Sequence, residues 1–262
     1  MSHDLIDMEK ASAKAFGLAH GIAGVEMVAT PELARLETPV PHPAFNSVLW
    51  YRGNADAIDD TIADVQRRYA GKPVLWRVGP ASTDPARLGE RLLAHGFTEG
   101  PRSTAMAGRI PHIARLWRVL PFSGTGVRVR NLADYRLWFS VWSAAFAVPA
   151  ESRPLFEEVA STVGHDHPAL RNLVLEVRGE PVATATTLYG PGDRFGALFN
   201  VSVRADRRGR GYGKSMLAFA AYDLYKRGCR EIGQYSTPMG VPFYRAVGGR
   251  VLGEFRNYVW AA

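Results

Sequence analysis

The chain has 262 residues, with 32 Lys or Arg against 25 Asp or Glu, a formal charge of +7, 47% hydrophobic and 22% charged residues. That is globular composition, which excludes a disordered or low-complexity chain. One cysteine, Cys229, excludes an intrachain disulfide framework and a multi-cysteine metal site, and no run approaches the ~18 apolar residues of a membrane span.

The opening Met1-Ser2-His3-Asp4 has no basic region feeding an apolar run, so no signal peptide is expected, and the reducing cytoplasm is the expected location. Asp4–Leu18 has helical composition and Asn46–Tyr51 reads as a strand. Asp56–Tyr69 places Ile58, Ile62, Val65 and Tyr69 at helical period. Pro73–Val78 is strand-like. Asp84-Pro85 starts a helix that Gly96 closes, and Ser103–Arg109 is a further strand. Pro111, Pro121, Gly124 and Gly126 mark Pro111–Gly126 as a linker, with a domain boundary between residues 121 and 122.

The second half opens with a strand at Val127–Val129 and helices at Ala133–Ala147 and Arg153–Val163. Leu173–Val177 and Pro181–Tyr189 form a hairpin about Arg178-Gly179-Glu180, and Gly190–Asp193 is a turn. The strand Phe195–Val203, the helix Gly211–Arg227, the strand Glu231–Tyr235, a short helix Pro242–Val247 and final strands over Val251–Trp260 complete the chain. The mixture predicts a layered α/β fold, a mixed central sheet flanked by helices.

Of the 32 cations only five are lysines, and the remaining 27 are arginines. Genome composition accounts for an arginine bias of this kind; the functional alternative is a polyanionic partner. The densest basic stretch, Arg204 to Lys214, coincides with a glycine motif, which favours a locally held phosphate over a nucleic-acid footprint. There a strand runs into a turn with Gly209, Gly211 and Gly213, and the turn opens a long helix. Glycine permits close main-chain approach, and free N–H groups at a helix start attract an anion. The spacing fits neither G-x-x-x-x-G-K-[ST] nor G-x-G-x-x-G.

Val203-x-x-x-x-Arg208-Gly-x-Gly211-x-Gly213, followed by Thr237-x-x-Gly240-x-x-Phe243-Tyr244-x-x-x-Gly248, resembles the acyl-CoA-binding signature and the following motif of the GNAT N-acetyltransferase superfamily over roughly residues 122–262. The resemblance implies a GNAT fold and acetyl-CoA as co-substrate, with no metal. Main-chain groups of Val201 and Val203 would meet the pantetheine arm. Arg208, Gly209, Arg210, Gly211, Tyr212, Gly213 and Lys214 would cradle the pyrophosphate, Thr237 would contact the cofactor, and Tyr244 would protonate the departing thiolate. Thr237 stands where the family often has Asn, and Gly249 stands where it has an aromatic. The strand Phe195–Val203 carries no carboxylate to act as base; Asn200 and Ser202 are poor bases, and Glu231 reads better as a salt-bridge residue.

Asn46–Arg109 repeats the strand–helix–strand–helix–strand order, but Tyr51-Arg-Gly53-Asn54-Ala-Asp56 lacks R-x-x-G-x-G and no tyrosine holds the acid position. Residues 1–121 are therefore expected to be a degenerate GNAT-like or accessory α/β domain that cannot hold CoA and that walls off the acceptor or completes a sheet. His165-Asp166-His167 lacks a third ligand at metal spacing and reads as a polar loop. Trp138, Phe139, Trp142 and Phe146 read as core, with Arg153, Glu157 or Glu158 as alternative substrate contacts, and Cys229 as a buried thiol. The expected function is direct acetyl transfer to the amine of a small molecule or amino-acid-like substrate. A longer acyl group and a non-catalytic CoA sensor are the alternatives. Neither nucleic acid nor membrane is expected as a partner, and a homodimer is left open.

Overall fold

The computed structural model describes residues 3–19, 21–119, 124–189 and 194–261. The chain runs α1 (His3–Gly17), β1 (Glu26–Ala29), β2 (Leu33–Glu37), β3 (Ser47–Tyr51), α2 (Ile58–Arg68), β4 (Val74–Val78), α3 (Pro85–Ala94), β5 (Thr98–Glu99), β6 (Ser103–Arg109), α4 (Ile110–Val119) and β7 (Thr125–Arg128). It continues through α5 (Leu132–Phe146), α6 (Arg153–Val163), β8 (Leu170–Val177), β9 (Glu180–Leu188), β10 (Phe195–Val203), α7 (Tyr212–Lys226), β11 (Glu231–Ser236), α8 (Val241–Ala246) and β12 (Arg250–Trp260). The turn expected at Gly190–Asp193 lies outside the described residues.

Two compact units result. One comprises Met1–Ala105, Ser236–Met239 and Val251–Ala262; the other comprises Met106–Tyr235 and Gly240–Arg250. This division differs from a boundary at 121/122, because the expected linker is largely an element. Pro111 sits in the first turn of α4, where a missing N–H costs nothing. Ile110, Ile113 and Ala114 are buried, and the Trp117 ring lies 4.8 Å from that of Phe219 on α7. Gly126 is a strand residue, not a hinge: a Cβ there would stand 2.7 Å from the Phe219 ring.

The first unit orders its strands β1-β2-β3-β4-β12, with β5 also on β12. All its pairs are antiparallel except β3–β4. Ile58, Ile62 and Val65 of α2 and Leu88 and Leu92 of α3 share a core with Trp76, Phe97 and Tyr258. Asp84 caps α3 by accepting from the Arg87 N–H at 3.2 Å. The β1–β2 hairpin escaped sequence reading because both strands are short, four and five residues. Its turn was marked nonetheless by Thr30, whose hydroxyl accepts from the Glu32 and Leu33 N–H groups at 3.3 and 3.0 Å.

The second unit orders its strands β6-β11-β10-β9-β8-β7, antiparallel from β7 to β10 and parallel between β10 and β11. Arg178 and Gly179 both have positive φ, 54° and 78°, as a two-residue hairpin turn that follows strand twist requires. On one face α4 and α7 bury Met106, Ile113, Leu173, Ala183, Leu198, Met216 and Ala220. Trp138, Phe139 and Trp142 of α5 are buried as core together with Tyr135, and the Trp138 indole donates to the Ala185 carbonyl at 3.3 Å; Phe146, expected in the same core, is instead 42% exposed at the last residue of the helix. Cys229 is fully buried. Within each unit three antiparallel-linked strands, a helix, a parallel strand and a second helix follow in the same order, so the two halves repeat one plan. The last strand of the chain completes the first unit, and most of β6 belongs to the second.

Candidate active site

The parallel register between β10 and β11 runs Phe195↔Glu231, Gly196↔Ile232, Ala197↔Gly233 and ends there, although the strands continue to Val203 and Ser236. On its other side β10 stays paired to β9 out to Val203↔Ala183, across a bulge between Phe199 and Ser202. Asn200 sits in that bulge with φ +56°, a left-handed value that asparagine tolerates. The two strands thus form a fork: beyond Ala197 the β11-facing edge of β10, with Val201 and Val203, is not paired to β11, and the Arg208 Nε donates to the Val203 carbonyl at 3.4 Å.

At the open end of the fork the chain turns into α7. Gly209 and Gly211 adopt φ +75° and +83°, and a Cβ at either would meet no atom within 4 Å. Conformation, not crowding, demands glycine here. The flanking arginines divide into two sets. Arg204 is bidentate to Asp206 at 3.1 and 3.0 Å, and Arg207 bonds Glu180. Arg208, Arg210 and Lys214 are exposed and have no carboxylate partner among the described residues. The uncommitted cations are therefore those at the helix start, beside its free N–H groups. Gly213, in the first turn, faces Val203 and the Phe243 ring on α8: a Cβ there would make ordinary contacts of 3.6 and 3.8 Å with them.

Tyr244 follows on α8. It is 8% exposed, within the core cluster that holds Met216 and Leu217, and its ring stands 4.9 Å from Phe243, edge to face. Burial pushes its phenol well above the usual tyrosine range, so it stays protonated at neutral pH. Gly213, Val203 and Phe243 bring the glycine turn, β10 and α8 together. Thr237 lies in the turn after β11, its carbonyl accepting from the Ser236 hydroxyl at 2.9 Å, and belongs with the first unit.

The polar side chains of β10 are used internally. Asn200 donates to Thr186 at 3.1 Å, Thr186 bonds Asn172 at 2.7 Å, and Ser202 bonds Thr184 at 2.7 Å. Glu231 sits at the closed end of the fork, 3.6 Å from the Arg250 guanidinium, which makes it a salt-bridge residue. Glu157 is tied to Arg136 at 2.9 and 3.0 Å and lies 3.6 Å from Arg153; the Arg136 hydrogen bond holds its carboxyl below the usual range. In the His165–His167 loop, His167 Nδ1 accepts from the Ala169 and Leu170 N–H groups at 3.1 and 3.2 Å. Among the described residues no group of three or more His, Cys, Asp or Glu is placed to hold a metal ion, and no helix is long and apolar enough to cross a membrane.

A forked parallel pair, an electropositive glycine turn at a helix start and a buried protonated phenol thus lie in one unit. Residues 135–248 match the model of the acetyltransferase (GNAT) family. Solved structures extend the likeness in fold to nearly the whole chain. A GCN5-related N-acetyltransferase from Kribbella flavida is 16% identical over 97% of this chain and 96% of its own, with a TM-score of 0.69. A functionally unknown conserved protein from Staphylococcus epidermidis is 14% identical over 95% and 99%, with a TM-score of 0.65. A tandem GNAT protein from the clavulanic acid biosynthesis pathway is 12% identical over 99% and 96%, with a TM-score of 0.58. No curated protein is significantly similar in sequence to this chain.

Two features of the site were not read from the sequence. One is the Asn200 bulge. The other is the reason for Gly249: a Cβ there would stand 2.7 Å from the Tyr244 carbonyl oxygen and 3.1 Å from its carbon, while the Gly249 N–H donates to that oxygen at 2.9 Å. An aromatic at this position would displace the backbone that carries the phenol. Gly249→Ala is expected to cost about 1–3 kcal/mol of stability by overpacking and about tenfold in kcat by shifting Tyr244. Chemical denaturation and steady-state rates test it; full activity at wild-type stability would show that the turn yields freely.

Proposed function

We propose that the second unit transfers an acetyl group from acetyl-CoA directly to the amine of a small molecule or amino-acid-like acceptor. One observation carries the reading: Arg208, Arg210 and Lys214, exposed and without a carboxylate partner among the described residues, flank the start of α7, the helix that shares a core cluster with Tyr244. Arg208, Gly209, Arg210, Gly211, Tyr212, Gly213 and Lys214 would hold the pyrophosphate, and Val201 and Val203 would pair with the pantetheine arm. The thioester supplies a carbonyl carbon that the amine nitrogen attacks; the C–S bond breaks as the C–N bond forms. A main-chain N–H on the free edge of β10 stabilises the oxyanion. Tyr244 gives its phenolic proton to the departing thiolate sulfur.

The proton lost by the amine has no carboxylate on β10 to receive it. It leaves through water, or the acceptor amine is already neutral when it binds. The same lack is what a CoA-binding sensor without turnover would show, and an assay of acyl transfer across a panel of amines separates the two.

In the first unit the matching place is occupied by the chain itself. The Thr83 N–H donates to the Tyr51 carbonyl at 3.0 Å, the Thr83 hydroxyl to the Gly53 carbonyl at 2.7 Å, and the Tyr51 hydroxyl to the Asn54 carbonyl at 2.7 Å. With its strand-end carbonyl taken and no glycine turn, this unit is proposed to bind no acyl-CoA.

Calorimetry with acetyl-CoA is therefore expected to give one site per chain. Arg208→Glu should weaken it about 30-fold, since charge-assisted bonds contribute roughly 1.5–3 kcal/mol, and the difference should shrink as salt is added. Equal affinity in the variant would remove Arg208 from the site; absence of binding in the wild type would point to another acyl-CoA or a retired site.

A further inference from the structure

Gln234 is the first residue of β11 beyond the last parallel pair, so it stands at the floor of the fork. Strand alternation puts it on the face of Ile232, which shares a core cluster with Leu198, Met216 and Tyr244. It is 5% exposed, and its amide oxygen Oε1 is buried with no hydrogen-bond partner. A buried amide oxygen without a donor is disfavoured, and the great majority of such groups in folded proteins are satisfied. Apolar residues of this size would suit the surrounding aliphatic core, so packing alone does not explain an amide here.

We infer that Gln234 is a binding and positioning contact for the acyl-CoA, its side-chain amide pairing with an amide group of the pantetheine arm at the floor of the β10–β11 fork. The inference rests on the acyl-CoA reading above and deepens it. An amide partner offers both an N–H and a carbonyl, so it satisfies the Gln234 amide in either orientation about its terminal torsion. The free edge of β10 reads the same arm by main-chain groups, which any acyl-CoA-like chain could use. A side-chain amide on the opposite wall fixes how far the arm descends, and hence where the thioester stops relative to Tyr244. That makes Gln234 a determinant of register along the ligand, distinct from the pyrophosphate cradle.

The test compares the full-length wild type with Gln234→Met, which keeps the volume and removes the amide, and with Gln234→Leu as a second apolar variant. Each protein is titrated with acetyl-CoA and with ADP, which carries a pyrophosphate but no pantetheine arm, and its unliganded melting temperature is recorded. Expected is a Kd for acetyl-CoA raised about tenfold in both variants, an unchanged Kd for ADP, and a melting temperature equal to or above that of the wild type, because an unsatisfied polar group has been removed. Wild-type affinity for acetyl-CoA in the variants would overturn the assignment. So would a melting temperature lowered in both variants, or an equal loss for ADP, either of which marks Gln234 as a framework residue. Wild-type protein that binds ADP but not acetyl-CoA would instead overturn the proposed function, and this inference with it.

Discussion

Replacing Tyr244 by phenylalanine is expected to lower kcat by about 10²–10³-fold, the range in which a general acid contributes, while leaving the Kd for acetyl-CoA within about twofold of wild type. The phenol donates a proton only while it holds one. Burial raises its pKa above the usual tyrosine range, so the protonated form extends further into alkali, and activity is lost only above that raised value. The wild-type rate should therefore rise with pH as the acceptor amine, with an ordinary pKa near ~10, loses its proton, and should show no falling limb between pH ~7 and ~10. An acceptor amine of low pKa would give a flat profile over the same window, again without a falling limb. Initial rates for both proteins across that window decide the matter. An undiminished rate in the variant would remove Tyr244 from the chemistry. A falling limb near neutral pH that vanishes in the variant would show a phenol far more acidic than its burial allows.

Asp223 carries the second large effect, this time on stability. It is fully buried on α7, the helix that follows the glycine turn. Arg128 of β7 reaches its carboxylate at 2.8 Å, Arg171 of β8 at 3.0 Å, and Arg227 at 3.2 Å. Arg227 is itself mostly buried and also donates to Thr187 at 2.8 Å. One anion thus compensates several guanidinium groups and ties α7 to three strands. Asp223→Ala leaves those charges facing one another in a desolvated site, and breaking such a cluster from the anionic side costs about 3–5 kcal/mol. Asp223→Asn keeps an acceptor and should lose less. Urea unfolding of the three proteins measures the difference; a loss below about 1 kcal/mol for the alanine variant would place the network among exposed pairs.

Coupling between these residues follows from their shared helix. Asp223 holds α7 against the sheet, and the first turn of α7 faces Val203 and Phe243 at Gly213. The cation cluster at the helix start is therefore built on a rigid base, and Tyr244 sits on the next short helix, whose closing turn depends on Gly249.

Much of this could be read from residues alone, wherever a local rule is strong. The period of Ile58, Ile62 and Val65, the Asp84-Pro85 start, the Arg178-Gly179 turn and the strand into Arg208-x-x-Gly211 each encode their conformation in a few adjacent positions. The glycine turn and Tyr244 were legible because their chemistry is tied to fixed spacing. Non-local facts were not. Pro111 and Gly126 carry the signature of a linker, yet one opens a helix and the other makes room for the Phe219 ring, because only packing tells a break from a close approach. The exchange that gives β12 to the first unit depends on which sheet edge a strand finds. The point where β10 and β11 part, the closing of the first unit's strand end by Thr83 and the isolation of the Gln234 amide all depend on distances between segments far apart in sequence. The sequence by itself determined most of the elements, the glycine turn and the position of Tyr244; tertiary structure alone decided which cations at that turn have a carboxylate partner and which buried amide oxygen lacks a hydrogen bond, since pairing and burial are properties of neighbours in space.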